Sequence, residues 1–117
     1  MISTDIKITK VQESRFKSID LDNITFGTVY TDHMFFCDFK NGEWQQPEIV
    51  PYQPLQLDPS ARVFHYGQAA FEGMKAYKNE NGEIYLFRPE QNARRINLSA
   101  HRMCMPEIPE ELFMDAL

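Results

Sequence analysis

Three arginines, Arg94, Arg95 and Arg102, lie on a segment whose apolar spacing predicts a helix. Arg95 stands at the edge of the apolar stripe, so its guanidinium can reach into a crevice while its stem packs on the core. A planar guanidinium donates two parallel hydrogen bonds to a phosphate or a carboxylate, and a hydrogen bond to a charged group contributes about 1.5–3 kcal/mol. The pattern therefore predicts either a phosphate anchor or a surface arginine paired with a carboxylate.

The other reactive residue types form no recognisable site. His33, His65 and His101 are far apart and none has a second ligand at helix spacing, so we predict no metal site. His65 is the histidine best placed for a role, although a hydrogen-bonded structural histidine is the competing interpretation. Cys37 and Cys104 lack a CxxC partner and are predicted to be buried thiols. No Gly-x-Ser-x-Gly or phosphate-loop motif is present.

Composition excludes several classes of protein. The chain has 117 residues, of which 12 are Lys or Arg and 17 are Asp or Glu, giving a net charge of −5. This charge disfavours a nucleic-acid partner. Its apolar stretches are far shorter than the roughly 20 residues that cross a bilayer, so we predict no membrane partner. Without a secretory signal pattern at the N-terminus, we expect a cytoplasmic protein.

The first half of the chain reads as strands and turns. The alternation at Ile6–Thr9 permits a short strand, although residues 1–20 could equally be a loose arm. Residues 28–31 and 34–39 are rich in β-branched and aromatic side chains, and Asn41-Gly42 predicts a tight turn that returns as a strand over 43–50. We expect Trp44 to pack across this hairpin. Because four of the seven prolines fall between Pro47 and Pro59, we predict an ordered irregular loop there.

The second half reads as a hairpin between helices. Residues 65–73 predict about two helical turns stopped by Gly73. Residues 75–77 and 84–87 pair across Asn81-Gly82. Pro89 opens a helix that ends before Pro106, and its apolar stripe is Ala93, Ile96, Ala100, Met103 and Cys104. A last helix starts at Pro109, with an apolar face formed by Leu112, Phe113, Ala116 and Leu117. The expected fold is α+β, a small antiparallel sheet of hairpins with flanking helices.

Three segments carry a resemblance to a known family. They are FGTVYTDHM at 26–34, HYGQAAFEGMKAY at 65–77 and LFRP at 86–89. In this order they closely resemble the small N-terminal domain of branched-chain amino-acid aminotransferases, from about Leu21 to the end of the chain. The resemblance implies a pyridoxal-phosphate enzyme of fold type IV that transfers the amino group of leucine, isoleucine or valine to 2-oxoglutarate.

The resemblance also assigns roles to individual residues. Arg95 matches the arginine that holds the cofactor phosphate. Phe26, Tyr66 and Phe71 match side chains that line the pocket for the branched substrate, which needs apolar walls. Lys75 matches a position that carries Lys or Arg near the active site, and we assign it a supporting role. Among the lysines, it alone stands where a buried amine of lowered pKa is imaginable.

The resemblance further implies that the catalytic lysine is outside this chain. Residues 1–20 would be an N-terminal arm and 21–117 the small domain, whereas the Schiff-base lysine belongs to the family's large domain. The apolar final helix likewise suggests the N-terminal part of a longer protein. We therefore expect no catalytic residue here and no activity from the chain alone. The family is a homodimer, and we expect the isolated chain to self-associate through its exposed aromatic surface.

Two alternatives remain at this point. Another fold-type IV enzyme, a D-amino-acid aminotransferase or an aminodeoxychorismate lyase, would share the phosphate arginine and differ in its pocket. A non-catalytic dimerisation or binding module would use the same aromatic surface without the chemistry.

Overall fold

The computed structural model describes residues 5–117, which form two compact units, one ending at Gln56 and the other spanning Leu57–Asp115. Residues 1–4 lie outside the described residues. They belong to the predicted arm and to the N-terminal stretch in which no secretory signal pattern was found. The chain has mixed α and β structure, as expected. None of the helices within 5–117 is long and apolar enough to cross a membrane.

The first unit is built on a three-stranded sheet that contains one parallel pair, so it is mixed and not purely antiparallel as predicted. Strand β1 (Lys7–Ile8) runs parallel to β5 (Glu48–Pro51), and β2 (His33–Phe36) runs antiparallel on the other side of β5. Of the two interpretations left open for residues 6–9, a short strand or a loose arm, the structure shows the strand. The sheet stops short of residues 28–31, where a strand was wrongly predicted, because the Thr28 N–H and hydroxyl both bond to the Thr25 carbonyl in a turn.

The prediction of an irregular loop over residues 47–59 is wrong for Glu48–Pro51, which form the central strand. Pro47 precedes this strand and Pro51 is its last residue, so the prolines remove few of its hydrogen bonds. The Pro47 carbonyl still accepts a hydrogen bond from the Lys7 N–H at 3.1 Å. Pro51 lies opposite His33, beside the Tyr52 bond to Asp32, and this is a position where antiparallel strands exchange no hydrogen bonds. Beyond the strand, residues 52–58 are irregular as predicted.

A predicted hairpin follows β2. Strands β3 (Phe39–Lys40) and β4 (Glu43–Trp44) pair across Asn41 and Gly42, whose φ values of 55° and 83° are those a tight turn needs. The Trp44 ring packs edge-on against Phe39 with 5.2 Å between ring centroids, as expected. The segments 34–39 and 43–50 pair in antiparallel register as predicted, but each is divided into two short strands. Between the two paired regions, residues 45–47 on one side of the hairpin lie opposite residues 37–38 on the other. This extra residue forms a bulge, and the first sheet ends there.

Side-chain hydrogen bonds tie the N-terminal segment to β2. The Val11 N–H donates to His33 Nε2 at 3.0 Å, and the Ser14 hydroxyl donates to the Asp32 carboxylate at 2.6 Å. Arg15 bonds the same carboxylate, and the hydrogen bond from Ser14, with smaller contributions from Arg15, lowers the pKa of Asp32. Short 3-10 helices at Arg15–Ser18 and Leu21–Asn23 follow. The boundary at residue 20 between an arm and a domain remains a prediction.

The second unit opens with a short helix, α1 (Arg62–Tyr66). The predicted helix over 65–73 is wrong in position because Gly67, not Gly73, ends the helical turn. Gly67 adopts the left-handed conformation with φ 57°, the usual helix stop, and an Asp58 side-chain turn starts the segment earlier. Residues 67–75 then run irregularly into the next strand.

The second hairpin and the long helix are confirmed. Strands β6 (Ala76–Lys78) and β7 (Ile84–Leu86) pair in antiparallel register. Arg88, with φ 48°, then turns the chain into α2 (Pro89–Arg102). Helix α3 (Glu110–Asp115) packs on α2.

The core of this unit lies between α2 and α3. The side chains buried there are Ala93, Ile96, Ala100 and Leu112. Met103 and Cys104 lie past the end of α2, because the chain leaves the helix at Met103 and Cys104 has a positive φ of 52°. The prediction of a buried thiol is therefore wrong for Cys104, which is exposed, whereas Cys37 is half-buried. At the end of the chain Leu117 is 57% exposed.

Candidate functional site

An open cavity of about 620 Å³ lies between the β6–β7 hairpin and the start of α2. Successive turns of α2 place Gln91, Arg95 and Leu98 on the same helix face, and Tyr77 and Phe87 add apolar surface. The charged lining residues are all cationic: Lys75, Arg88, Arg94 and Arg95. Within residues 5–117, no Asp or Glu lines this cavity, so its electrostatic character favours an anion.

Arg95 is held by a carboxylate from the preceding loop. Its Nε donates to Glu72 Oε2 at 2.6 Å, and its Nη2 donates to Glu72 Oε1, so the pair is bidentate. A guanidinium has five N–H donors, and Glu72 therefore takes two and leaves three. The Arg95 side chain is 66% exposed whereas that of Glu72 is only 8% exposed. The cation thus faces the solvent side of the pair, with its remaining donors available.

Glu72 is itself fixed by further donors. Its Oε1 accepts a hydrogen bond from the Gly73 N–H at 2.9 Å and from Asn92 Nδ2 at 3.1 Å. Asn92 also donates to the Gly73 carbonyl at 3.1 Å and so links α2 to this loop. The hydrogen bonds from Arg95, with smaller effects from Gly73 and Asn92, lower the pKa of Glu72 to about 2. Glu72 is therefore ionised at neutral pH.

The other cations of the cavity are loosely held. Arg88 lies 3.8 Å from Glu90 and Arg94 lies 3.7 Å from Glu110, both at exposed positions where such pairs contribute little. These side chains can turn toward a multiply charged anion such as a phosphate. The residues that the structure describes include no group of three or more His, Cys, Asp or Glu that could hold a metal ion.

The structure brings together two of the five residues to which the resemblance assigned roles. Lys75 and Arg95 line the same cavity. Lys75 is exposed, so the environment of a buried amine imagined for it is wrong. Tyr66 is 81% exposed and lines a separate depression of about 530 Å³ with Gln68 and Arg102. Phe71, 93% exposed, lines neither.

Phe26 belongs to the first unit, where its ring is fully exposed. The aromatic residues assigned to a substrate pocket therefore present open surfaces. His65 has a structural contact, because its Nε2 lies 2.8 Å from the Pro59 carbonyl. The structural interpretation of this histidine therefore has a specific hydrogen bond behind it.

Sequence reasoning gave Glu72 no role, although it lies inside the FEG segment at 71–73. Its partner Arg95 is 23 residues away, beyond a complete hairpin. A loop carboxylate at that distance has no periodic relation to a helix, so only the folded chain shows the pairing.

Comparison with known proteins gives consistent results. The chain is 52% identical over 99 residues to branched-chain-amino-acid transaminase 1 of Bacillus subtilis, a match that covers 84% of this chain and 28% of that protein. It is 52% identical over 98 residues to the branched-chain-amino-acid aminotransferase of Mycolicibacterium smegmatis, covering 83% and 27%. It is 45% identical over 117 residues to the probable branched-chain-amino-acid aminotransferase of Staphylococcus epidermidis, covering 99% and 32%.

A scan against models of protein families found no match. The chain spans less than a third of the length of these three relatives. Within that span the identity is high and the names agree, which confirms the resemblance noted in the sequence and does not favour the D-amino-acid aminotransferase, lyase or binding-module alternatives. The chain is therefore homologous to the N-terminal part of branched-chain-amino-acid aminotransferases.

Proposed function

We propose that this chain forms the N-terminal part of a pyridoxal-phosphate-dependent transaminase that moves the amino group of leucine, isoleucine or valine to 2-oxoglutarate. Within that enzyme its main chemical contribution is Arg95, which anchors the cofactor phosphate. The observation that carries this role is the bidentate Glu72 pair, which leaves three Arg95 N–H donors for an anion.

The residues around the cavity fit a phosphate group. A phosphate accepts parallel hydrogen bonds from a guanidinium, and Lys75 and Arg88 line the same cavity with further positive charge. The bound cofactor supplies the electron sink for amino-group chemistry. The residues of this chain bind and orient its phosphate end.

The apolar residues serve the substrate side of the proposal. Phe26, Tyr66 and Phe71 are exposed rings whose burial by the rest of the enzyme would form apolar walls for a branched side chain. Such walls exclude water and reject charged side chains by leaving them unpaired. A homodimer, in which one subunit helps to close the site of the other, and a cytoplasmic location belong to the same proposal.

We further propose that none of the six lysines is the one that bonds the cofactor. Lys75 is exposed and lies beside Arg94 and Arg95 in the cavity rather than in an apolar pocket. Treating the isolated chain with pyridoxal phosphate and then borohydride should modify Lys75 no more than Lys78, as judged by peptide mass spectrometry. Selective and stoichiometric labelling of Lys75 would contradict this assignment.

The function is tested in a hybrid enzyme, in which this chain replaces the N-terminal segment that it matches in the Bacillus subtilis transaminase. We expect the hybrid to convert leucine, isoleucine and valine with 2-oxoglutarate. Arg95→Lys should raise the pyridoxal phosphate concentration for half-maximal activity by about tenfold or more, since a lysine cannot reproduce the paired hydrogen bonds.

The matched control is Arg102→Lys, on the last turn of the same helix and outside the cavity, which should leave that concentration unchanged. A folded hybrid that transaminates none of the three amino acids would refute the proposed activity. Equal cofactor requirements for Arg95→Lys and Arg102→Lys would refute the phosphate role of Arg95.

A further inference from the structure

The Glu72 carboxylate has an environment that a surface ion pair does not need. Its side chain is 8% exposed, although its partner Arg95 is mostly in solvent. Donors from a backbone amide, from Asn92 on α2 and from the guanidinium converge on its two oxygens. The carboxylate is thus anchored more firmly than the cation that it holds.

We propose that Glu72 is a positioning residue, which holds the Arg95 guanidinium in one orientation so that its remaining N–H donors face an incoming phosphate group. This inference rests on the function proposed above. Glu72 does not line the cavity and is assigned no contact with the cofactor or with the substrate.

The geometry explains how one carboxylate can position the donors without blocking them. Glu72 bonds the edge of the guanidinium formed by Nε and Nη2. The group is planar, so fixing that edge also fixes the directions of both Nη1 hydrogens and of the second Nη2 hydrogen. An exposed arginine without such a partner samples many rotamers and must lose that freedom when it binds.

A second link ties this arrangement to the fold. Asn92 lies one turn before Arg95 on α2 and bonds both the Glu72 carboxylate and the Gly73 carbonyl. The loop that carries Glu72 is therefore fastened to the helix that carries Arg95. The relative position of the carboxylate and the guanidinium is therefore fixed in two ways: by their own hydrogen bonds and by the Asn92 bonds that join the loop to the helix.

Charge and position predict opposite effects when Glu72 is replaced. Glu72→Gln removes a negative charge near a proposed anion site, and by charge alone the anion should bind more tightly. The same variant turns one acceptor into an amide NH₂ that faces the arginine donors, so the bidentate hold is lost. If position dominates, Glu72→Gln weakens phosphate binding instead.

The first measurement follows the Arg95 side chain in the full 117-residue chain. In ¹H–¹⁵N spectra of arginine side chains, one Nε–H signal should exchange slowly with water, and Arg95→Lys should remove that signal. Glu72→Gln should speed its exchange by about tenfold or more, whereas Glu80→Gln, on an exposed turn, should not change it. Absence of a slowly exchanging Arg95 signal in the unmodified chain, or its persistence in Glu72→Gln, would overturn the proposal.

The second measurement uses pyridoxal phosphate in the hybrid transaminase. Glu72→Gln should raise the half-saturating cofactor concentration severalfold while leaving kcat at saturating cofactor and the KM for leucine unchanged. If Arg95→Lys weakens the cofactor but Glu72→Gln leaves it unchanged or tightens it, the positioning role fails and the proposed function stands. If Arg95→Lys has no effect, the proposed function fails first.

Asn92→Ala keeps the test valid should Glu72→Gln impair folding. It removes one donor to the carboxylate and changes no charge. We expect a smaller acceleration of Arg95 Nε–H exchange and a smaller rise in the cofactor requirement, in the same direction. An Asn92→Ala chain that folds normally and shows neither effect would also overturn the proposal.

Discussion

Truncating Leu112 to alanine removes one of the two large apolar side chains in the core of the second unit, and the more deeply buried of the two. Leu112 is 1% exposed on α3, and the other buried members of that core, Ala93, Ile96 and Ala100, all lie on α2. Two of these three are alanines, so Leu112 supplies much of the apolar volume between the helices. Its removal tests whether α3 is held by this contact.

The free energy of unfolding lost in Leu112→Ala depends on how far the surrounding structure can move into the space that the side chain leaves. Leu→Ala in protein cores costs about 2–5 kcal/mol, with the larger values where the surroundings cannot relax. Here α3 has six residues and can move toward α2, so we expect the lower part of the range, about 2–3 kcal/mol. Small domains unfold with about 5–15 kcal/mol, so this loss is a large fraction of the total.

Urea unfolding followed by far-UV circular dichroism measures the effect. With a slope of about 2 kcal/mol per molar urea, the midpoint should fall by about 1–1.5 M. The control is Leu98→Ala on the same unit, where the side chain is 70% exposed and the change should stay within about 0.5 kcal/mol. A Leu112→Ala loss below about 1 kcal/mol, or an equal loss for Leu98→Ala, would refute the proposed core.

Three further outcomes are expected. The pKa of Glu72 is lowered from 4.5 to about 2, so its pairing stabilises the fold fully above pH 4.5, and this stabilisation is lost as the pH falls toward 2. The Tm of Glu72→Gln should therefore fall less than that of the parent chain between pH 4.5 and pH 2. Gly67→Ala should destabilise the chain by about 1 kcal/mol, because a φ of 57° is strained for alanine, and no further cost is expected since the added Cβ meets no atom within 4 Å. Gly73→Ala, which has neither a positive φ in this range nor a close neighbour, should be nearly neutral in the same thermal melt. Light scattering should show the isolated chain self-associating as its concentration rises, through rings such as Tyr66 and Phe71, and a single monomer at all concentrations would count against this.

Local signals predicted the turns and the long helix well. The Asn-Gly pair at 41–42 forms a hairpin turn in which both residues have the positive φ that such turns need. The second hairpin encloses the pair at 81–82, where Gly82 has a positive φ of 84°. Pro89 marks the first residue of α2, where its fixed φ suits a helix and its missing N–H costs nothing. Each of these features depends on only a few neighbouring residues.

Features that depend on distant partners were predicted poorly. Strand β5 begins after Pro47, ends at Pro51, and is stabilised by β2 and by β1, which is about 40 residues earlier in the chain. The sequence predicted both a strand over 43–50 and a proline-rich loop over 47–59, and the local pattern does not decide between them where they overlap. The end of α1 was misplaced because Gly67 and Gly73 are equally good helix stops by residue type. Cys104 fitted the apolar stripe of α2 by spacing, but the helix had already ended before it.

The two interpretations of Arg95, which the sequence presents as alternatives, are compatible in the folded chain. From sequence, a phosphate anchor and a carboxylate-paired surface arginine each accounted for the same side chain. The folded chain gives Arg95 a bidentate carboxylate partner, and this pairing engages only two of its five N–H donors. A carboxylate that bonds one edge of the guanidinium fixes the orientation of the whole group. The N–H donors on its other side stay free of that carboxylate. Pairing with Glu72 is therefore compatible with holding a phosphate, and an exposed arginine that is fixed in this way is better suited to that task than one free to rotate.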